Sequence, residues 1–173
     1  WEGPLPADRQ MSDPRSRRRV EALVTDLLEG MAQEGDTLSG LTEIIERAGG
    51  INVAVGPSRG DIAQVSLEQV LAWAPEVVVT WDRQAYAHIK ESPAWRDLPA
   101  VKAGRVYLSP SEPFGWIDRP PALNRLLGLR WLNRVLHPEA GAEGDLRAVT
   151  RTFYRLFYHV DLDDARLDAL LAE

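Results

Sequence analysis

The segment Ser109-Pro110-Ser111-Glu112-Pro113-Phe114-Gly115-Trp116-Ile117-Asp118-Arg119 concentrates the side chains best suited to holding a small molecule. Pro110, Pro113 and Gly115 shape the backbone. Phe114 and Trp116 are large apolar groups on a connecting loop, where a chain that only had to turn would carry small polar residues. Aromatic faces suit a flat or greasy ligand, and the Arg119 guanidinium suits its anionic groups. Two outcomes are open: the aromatics tuck beneath the loop as a satellite core, or they form a ligand wall. Asp118 beside Arg119 equally allows a local ion pair that only fixes the loop. A second aromatic segment, Trp81 to Tyr86, follows a run of β-branched residues.

Other chemistry is thinly represented. No nucleophile-elbow pattern, phosphate loop or pair of histidines at metal spacing occurs. His88, His137 and His159 fall on separate elements and read as surface or helix-end residues. The carboxylates are spread over helix surfaces, with no pair marked as acid and base. The chain has no cysteine, which excludes disulfides, thiolate zinc sites and iron–sulfur clusters. No catalytic residue, metal ligand or cofactor is therefore assigned, and the chain is expected not to be an enzyme. A formal charge of −6 argues against nucleic acid as a partner, because phosphate binding needs a basic face. The basic run Arg15, Arg17, Arg18 and Arg19 reads as a solvated helix start or loop. No run of 18 apolar residues is present.

The elements that must position these segments alternate. With 45% hydrophobic and 27% charged residues, the 173-residue chain can build one core. Residues 1–14 hold three prolines and little apolar spacing, and read as a flexible arm. Val20, Leu23, Val24, Leu27, Leu28 and Met31 recur at i, i+3, i+4, i+7, i+8 and i+11, predicting an amphipathic helix within 15–35. Its apolar stripe needs a partner, so a homo-oligomer joined through this segment is expected. A second helix carries Leu41, Ile44, Ile45 and Ala48 and ends at Gly49-Gly50. Ser66, with Gln69 three residues on, caps a third, and Pro75 stops it. Val77–Thr80 and Arg105–Leu108 read as parallel interior strands, because β-branched runs apolar on both faces need helices on both sides. A long helix is expected from Pro120-Pro121 to about His137, then one through Leu146, Val149, Phe153, Leu156 and Phe157, then one holding Leu167, Leu170 and Leu171. The resulting fold class is α/β, a three-layer α/β/α domain with a small parallel sheet over residues 36–173. Open parallel sheets bind ligands at the carboxyl ends of their strands, which selects the Trp81–Tyr86 and Ser109–Arg119 segments.

Four stretches together carry a resemblance. "LTEIIERAGGINV" (41–53), "VSLEQVLAWAPEVVVT" (65–80), "WRDLPAVKAGRVYLSPSEPFGWIDRPPALNRLLGLRWLNRVLHPE" (95–139) and "FYRLFYHVDL" (153–162) resemble, in order, the C-terminal lobe of class III periplasmic substrate-binding proteins of ABC importers, in the subgroup that takes iron complexes and other metal chelates. The resemblance implies two lobes with ligand between them, of which this chain is the C-terminal one and residues 15–35 a remnant of the inter-lobe helix. It places Trp81, Tyr86, Phe114, Trp116 and Arg119 at the cleft. It makes Glu68 the carboxylate that docks on the membrane permease; a glutamate in a helix's first turn is also explained by dipole complementation alone. The implied function is capture of a metal chelate such as ferric siderophore, haem or a corrinoid, in the periplasm or anchored by lipid to the outer face of the cytoplasmic membrane. A molybdate-type oxyanion is the alternative ligand, with more weight on Arg119. A lone lobe that only pairs with itself or with the permease is the alternative of a different class.

Overall fold

A computed structural model describes residues 20–25, 37–54, 65–117, 123–140 and 145–171. The arm, the basic run, Leu27, Leu28, Met31, Asp118 and Arg119 lie outside them. Four strands, β1 (Val20–Thr25), β2 (Gly50–Asn52), β3 (Val77–Thr80) and β4 (Val106–Leu108), form one sheet in the order β2-β1-β3-β4. Every pairing is parallel. The helices are α1 (Thr37–Arg47), α2 (Leu67–Trp73), α3 (Arg83–Glu91), α4 (Pro99–Lys102), α5 (Arg125–Leu136), α6 (Leu146–Phe153) and α7 (Asp164–Leu171).

The alternation of β3 divides the core. Val77 and Val79 enter one cluster, with Leu41, Ile44 and Ile45 of α1 and Leu127, Trp131 and Leu132 of α5. Val78 enters the other, with Val70 of α2, Ile89 of α3 and Ala100 of α4. The register continues this across to β4: Val79 lies opposite Tyr107, and Val78 opposite Val106. All four residues of β3 are buried, as a strand covered on both faces requires. Helices on both faces of a parallel sheet make the three-layer α/β/α fold that the sequence implies.

Four expectations are corrected. Residues 20–25 are a strand, not a helix, and β1 is hydrogen-bonded on both sides, to β2 and β3. Pairing on two edges outweighs a local 3.6-residue pattern that also contains a two-residue alternation at Val20, Ala22 and Val24. The helical stripe on which self-association was expected is thus absent over 20–25, and so is an inter-lobe helix there. Second, β4 ends the described sheet as an edge strand, so of the two predicted interior strands only β3 is interior. Third, α5 begins at Arg125. Leu123 and Leu126 stay exposed, while Leu127, Trp131, Leu132, Val135 and Leu136 are buried. Likewise α6 gives way after Phe153 to a wider π-type turn, Tyr154–Tyr158, which leaves Leu156 and Phe157 exposed rather than in the core.

Long-range polar contacts seat α5. Asn133 Nδ2 donates to Ala48 O at 3.2 Å, and a ring nitrogen of His137 lies 3.0 Å from the same carbonyl at the end of α1. Gly49 turns there with φ +84°, and a Cβ on it would meet the His137 ring at 2.7 Å. Arg105 Nη2 donates to Val135 O and Leu136 O, both at 3.0 Å, capping the end of α5 from the foot of β4.

Candidate functional site

The carboxyl edge of the sheet is assembled from the ends of β3 and β4. Ser109 N donates to Thr80 O at 2.7 Å, carrying the strand pairing one residue beyond β4. Asp82 caps α3 through Ala85 N at 2.6 Å, and Thr80 Oγ1 accepts from Asp82 N at 3.1 Å. This fixes the turn on which Trp81 sits. Trp81 is half-buried and packs on the α1/α5 side. Tyr86, one helical turn on, packs on the α2/α3 side, and Lys90 Nζ donates to its hydroxyl at 2.8 Å. The two aromatics fall on opposite faces of the sheet and do not share a wall.

The segment after β4 is held at several points. Trp116 N donates to Pro110 O at 3.1 Å, closing the turn. Asn124, completely buried, donates from Nδ2 to Phe114 O at 2.8 Å and accepts from the Tyr158 hydroxyl at 2.6 Å. The Tyr154 hydroxyl donates to Glu112 O. The turn Tyr154–Tyr158 is thus a clamp on residues 112–114. Burial pushes the Tyr154 phenol up to about 12, against a smaller opposing effect of the neighbouring Trp116 indole. The stabilising contribution of the neutral phenol is therefore complete below its ordinary value of 10.0 and is lost as pH rises through about 12. Ultraviolet titration should find one of the chain's 4 tyrosines ionising near pH 12, together with loosening of the 112–114 clamp, and Tyr154→Phe should remove that step.

The clamp sorts the two wall aromatics. Phe114 is 46% exposed. Trp116 is 0% exposed, in the core with Leu127 and Trp131, and its backbone abuts Gly128 of α5. The expectation of a partly exposed Trp116 at the cleft is therefore corrected: the core outcome holds for Trp116, while Phe114 remains available. The reason is hydrophobic payload, since the indole is the larger apolar group, and α5 lets the Trp116 backbone approach closely at Gly128. Trp116 Nε1 makes no hydrogen bond with a described residue. Asn124, Tyr154 and Tyr158 were not singled out in the sequence; their only signal was the aromatic spacing in "FYRLFY".

Glu68 is exposed in the first turn of α2, where Ser66 Oγ accepts from Gln69 N at 3.3 Å. A hydrogen bond from the Ser66 side chain holds its carboxyl below the usual range. Since α2 runs back toward the foot of β3, its first turn lies at the carboxyl edge of the sheet, on the face opposite α5. Among the described residues no cluster of three His, Asp or Glu side chains is placed to hold a metal, and no helix is long and apolar enough to cross a membrane.

Known proteins share this arrangement. A family model described as periplasmic binding protein matches residues 27–113, half of the chain. The molybdate-binding protein MolA of Haemophilus influenzae is 35% identical over 118 residues, covering 66% of this chain and 33% of that protein. An ABC transporter solute-binding protein from Sulfurospirillum deleyianum superposes with a TM-score of 0.76 at 29% identity, over 90% of this chain and 48% of its own. The structure of MolA bound to molybdate gives 0.65 at 28% identity, over 86% and 44%. The chain thus spans about a third of the curated relative and under half of each of these solved structures. With the doubly covered parallel sheet and the anchored segment at its carboxyl edge, these matches show that the chain belongs to the periplasmic binding protein family.

Proposed function

We propose that this chain is the C-terminal lobe of the solute-capturing component of an ABC importer, working in the periplasm or tethered to the outer face of the cytoplasmic membrane, and that its solute is a molybdate-type oxyanion. The observation that carries the reading is the clamped segment at the end of β4, which offers one exposed aromatic, Phe114, and leads directly into Asp118 and Arg119. With Trp116 committed to the core, the aromatic surface that the segment after β4 offers a flat chelate shrinks to the Phe114 ring. A small tetrahedral anion instead needs a guanidinium and hydrogen-bond donors, and Arg119 supplies the former. The 35% identity to a protein named for molybdate supports the same choice. A metal chelate such as ferric siderophore, haem or cobalamin is the second reading, favoured by the exposure of Phe114. The non-enzymatic role rests on the family and on the lack of any acid–base pair in the segment.

Calorimetric titration of the two-lobed protein carrying this lobe, with molybdate, ferric siderophore, haem and cobalamin in parallel, separates the readings. Molybdate binding lost on Arg119→Gln is the expected result. Saturable binding of a chelate alone would reverse the order of the two. Glu68 is assigned the permease contact. Glu68→Ala should abolish uptake while leaving solute affinity and melting temperature unchanged, because it leaves a permease arginine unpaired. Full uptake by that variant would reduce Glu68 to a helix-end charge.

A further inference from the structure

A cavity of about 660 Å³ lies between the Glu112–Pro113 turn, the Tyr154–Tyr158 clamp and α7. That volume is within the ordinary range for small-molecule sites. Neither Trp81 nor Phe114 lines it, and its share of the segment after β4 is Glu112 and Pro113, on the side of the clamp. Its apolar lining comes from Pro113, Tyr154, Tyr158, Val160, Leu162 and Leu170. The two tyrosine rings stand 5.4 Å apart and tilted, and both hydroxyls are already committed, to Glu112 O and to Asn124 Oδ1. What they offer a guest is therefore aromatic surface. Two charged residues also line the cavity, Arg166 from α7 and Glu112 from the turn. Both are exposed, and neither side chain makes an ion pair with a described residue or with the other.

An apolar cavity lined also by one cation and one anion, each without an ion-pair partner among the described residues, matches a guest that has an apolar body and one charge of each sign. We propose that this cavity binds a free α-amino acid with a large apolar side chain, its carboxylate toward Arg166 and its ammonium toward Glu112. A simple carboxylate would meet Arg166 but be repelled by Glu112, and a simple amine the reverse. Each charge-assisted contact adds selectivity, while the rings and aliphatic groups take the side chain. Filling the chamber brings the guest against Pro113 and Tyr154, so occupancy bears on the clamp that holds residues 112–114.

The test uses the full 173-residue chain. L-Phenylalanine, L-phenylalaninamide and 3-phenylpropionate are titrated while side-chain resonances are followed by NMR. For a guest of this size, dissociation constants on the order of a millimolar are expected. Phenylalanine should bind about tenfold more tightly than either analogue, with shifts confined to Tyr154, Tyr158, Val160, Leu162 and Leu170. Arg166→Gln should erase the advantage over the amide, and Glu112→Gln the advantage over the propionate. Both residues are exposed, so neither change threatens the fold. Equal binding of the three probes, shifts elsewhere on the molecule, no saturation, or variants that weaken all three alike would each overturn the proposal. Failure here leaves the oxyanion reading untouched, since that is measured on molybdate.

Discussion

Trp116→Ala is expected to lower the stability of the lobe by about 3–5 kcal/mol, the loss seen when a fully buried aromatic is truncated. Against a typical total of about 5–15 kcal/mol, that is a large fraction. At about 2–4 °C per kcal/mol for a chain of this size, the melting temperature should fall by roughly 10 °C. The indole sits at 0% exposure in the cluster shared by α1, β3, α5 and α6, so its removal opens a void in the core to which Leu127, Trp131 and Tyr154 also belong. Trp116→Phe should cost much less, because it keeps most of the apolar volume. Phe114→Ala, on the exposed neighbour, should stay within about 0.5 kcal/mol. Urea unfolding of the three variants checks the order. A Trp116→Ala protein as stable as the parent would return Trp116 to the ligand wall.

The contrast between Phe114 and Trp116 shows where the sequence could be read and where it could not. A strand or a helix has a period, so one buried position predicts the next. The β-branched run at Val77–Val79 and the Ser66 cap were legible for that reason. A loop has no period, and two aromatics two residues apart gave no sign that one would be core and the other exposed. The decision was made by α5, through the Asn124 bond to Phe114 O and the close approach at Gly128. β1 illustrates the complementary failure. Val20, Leu23 and Val24 satisfy a helical spacing, yet the unpaired edges of β2 and β3 claim that backbone. No local residue announces a pairing made with segments far along the chain. The cleft suffered the same limit: Trp81 and Tyr86 are close in sequence, but a strand end followed by a helix sends them to opposite faces of the sheet.

Gly128→Ala is the second large effect, and its sign is set by two opposing quantities. In an unhindered helix interior alanine is favoured over glycine by about 0.8–1.0 kcal/mol, so the substitution within α5 would ordinarily stabilise. Here a Cβ at Gly128 would lie 1.9 Å from Trp116 O and 2.6 Å from Trp116 C. Ordinary contact is about 3.5–4.0 Å, and both atoms belong to backbone that no rotamer change can clear. Either α5 or the Pro110–Trp116 turn must move, and overpacking of this kind typically costs about 1–3 kcal/mol, occasionally more. The clash therefore outweighs propensity, and a net loss of about 2 kcal/mol or more is expected in urea unfolding. Leu126→Ala, in the same helix but 59% exposed, is the control and should change stability little. Because the displaced turn carries Phe114, Gly128→Ala should also loosen the Asn124–Phe114 bond, seen as faster amide exchange across residues 112–117. Alanine at 128 with unchanged stability and unchanged exchange would mean that α5 and the segment after β4 are not seated on one another, and the clamp would lose its floor.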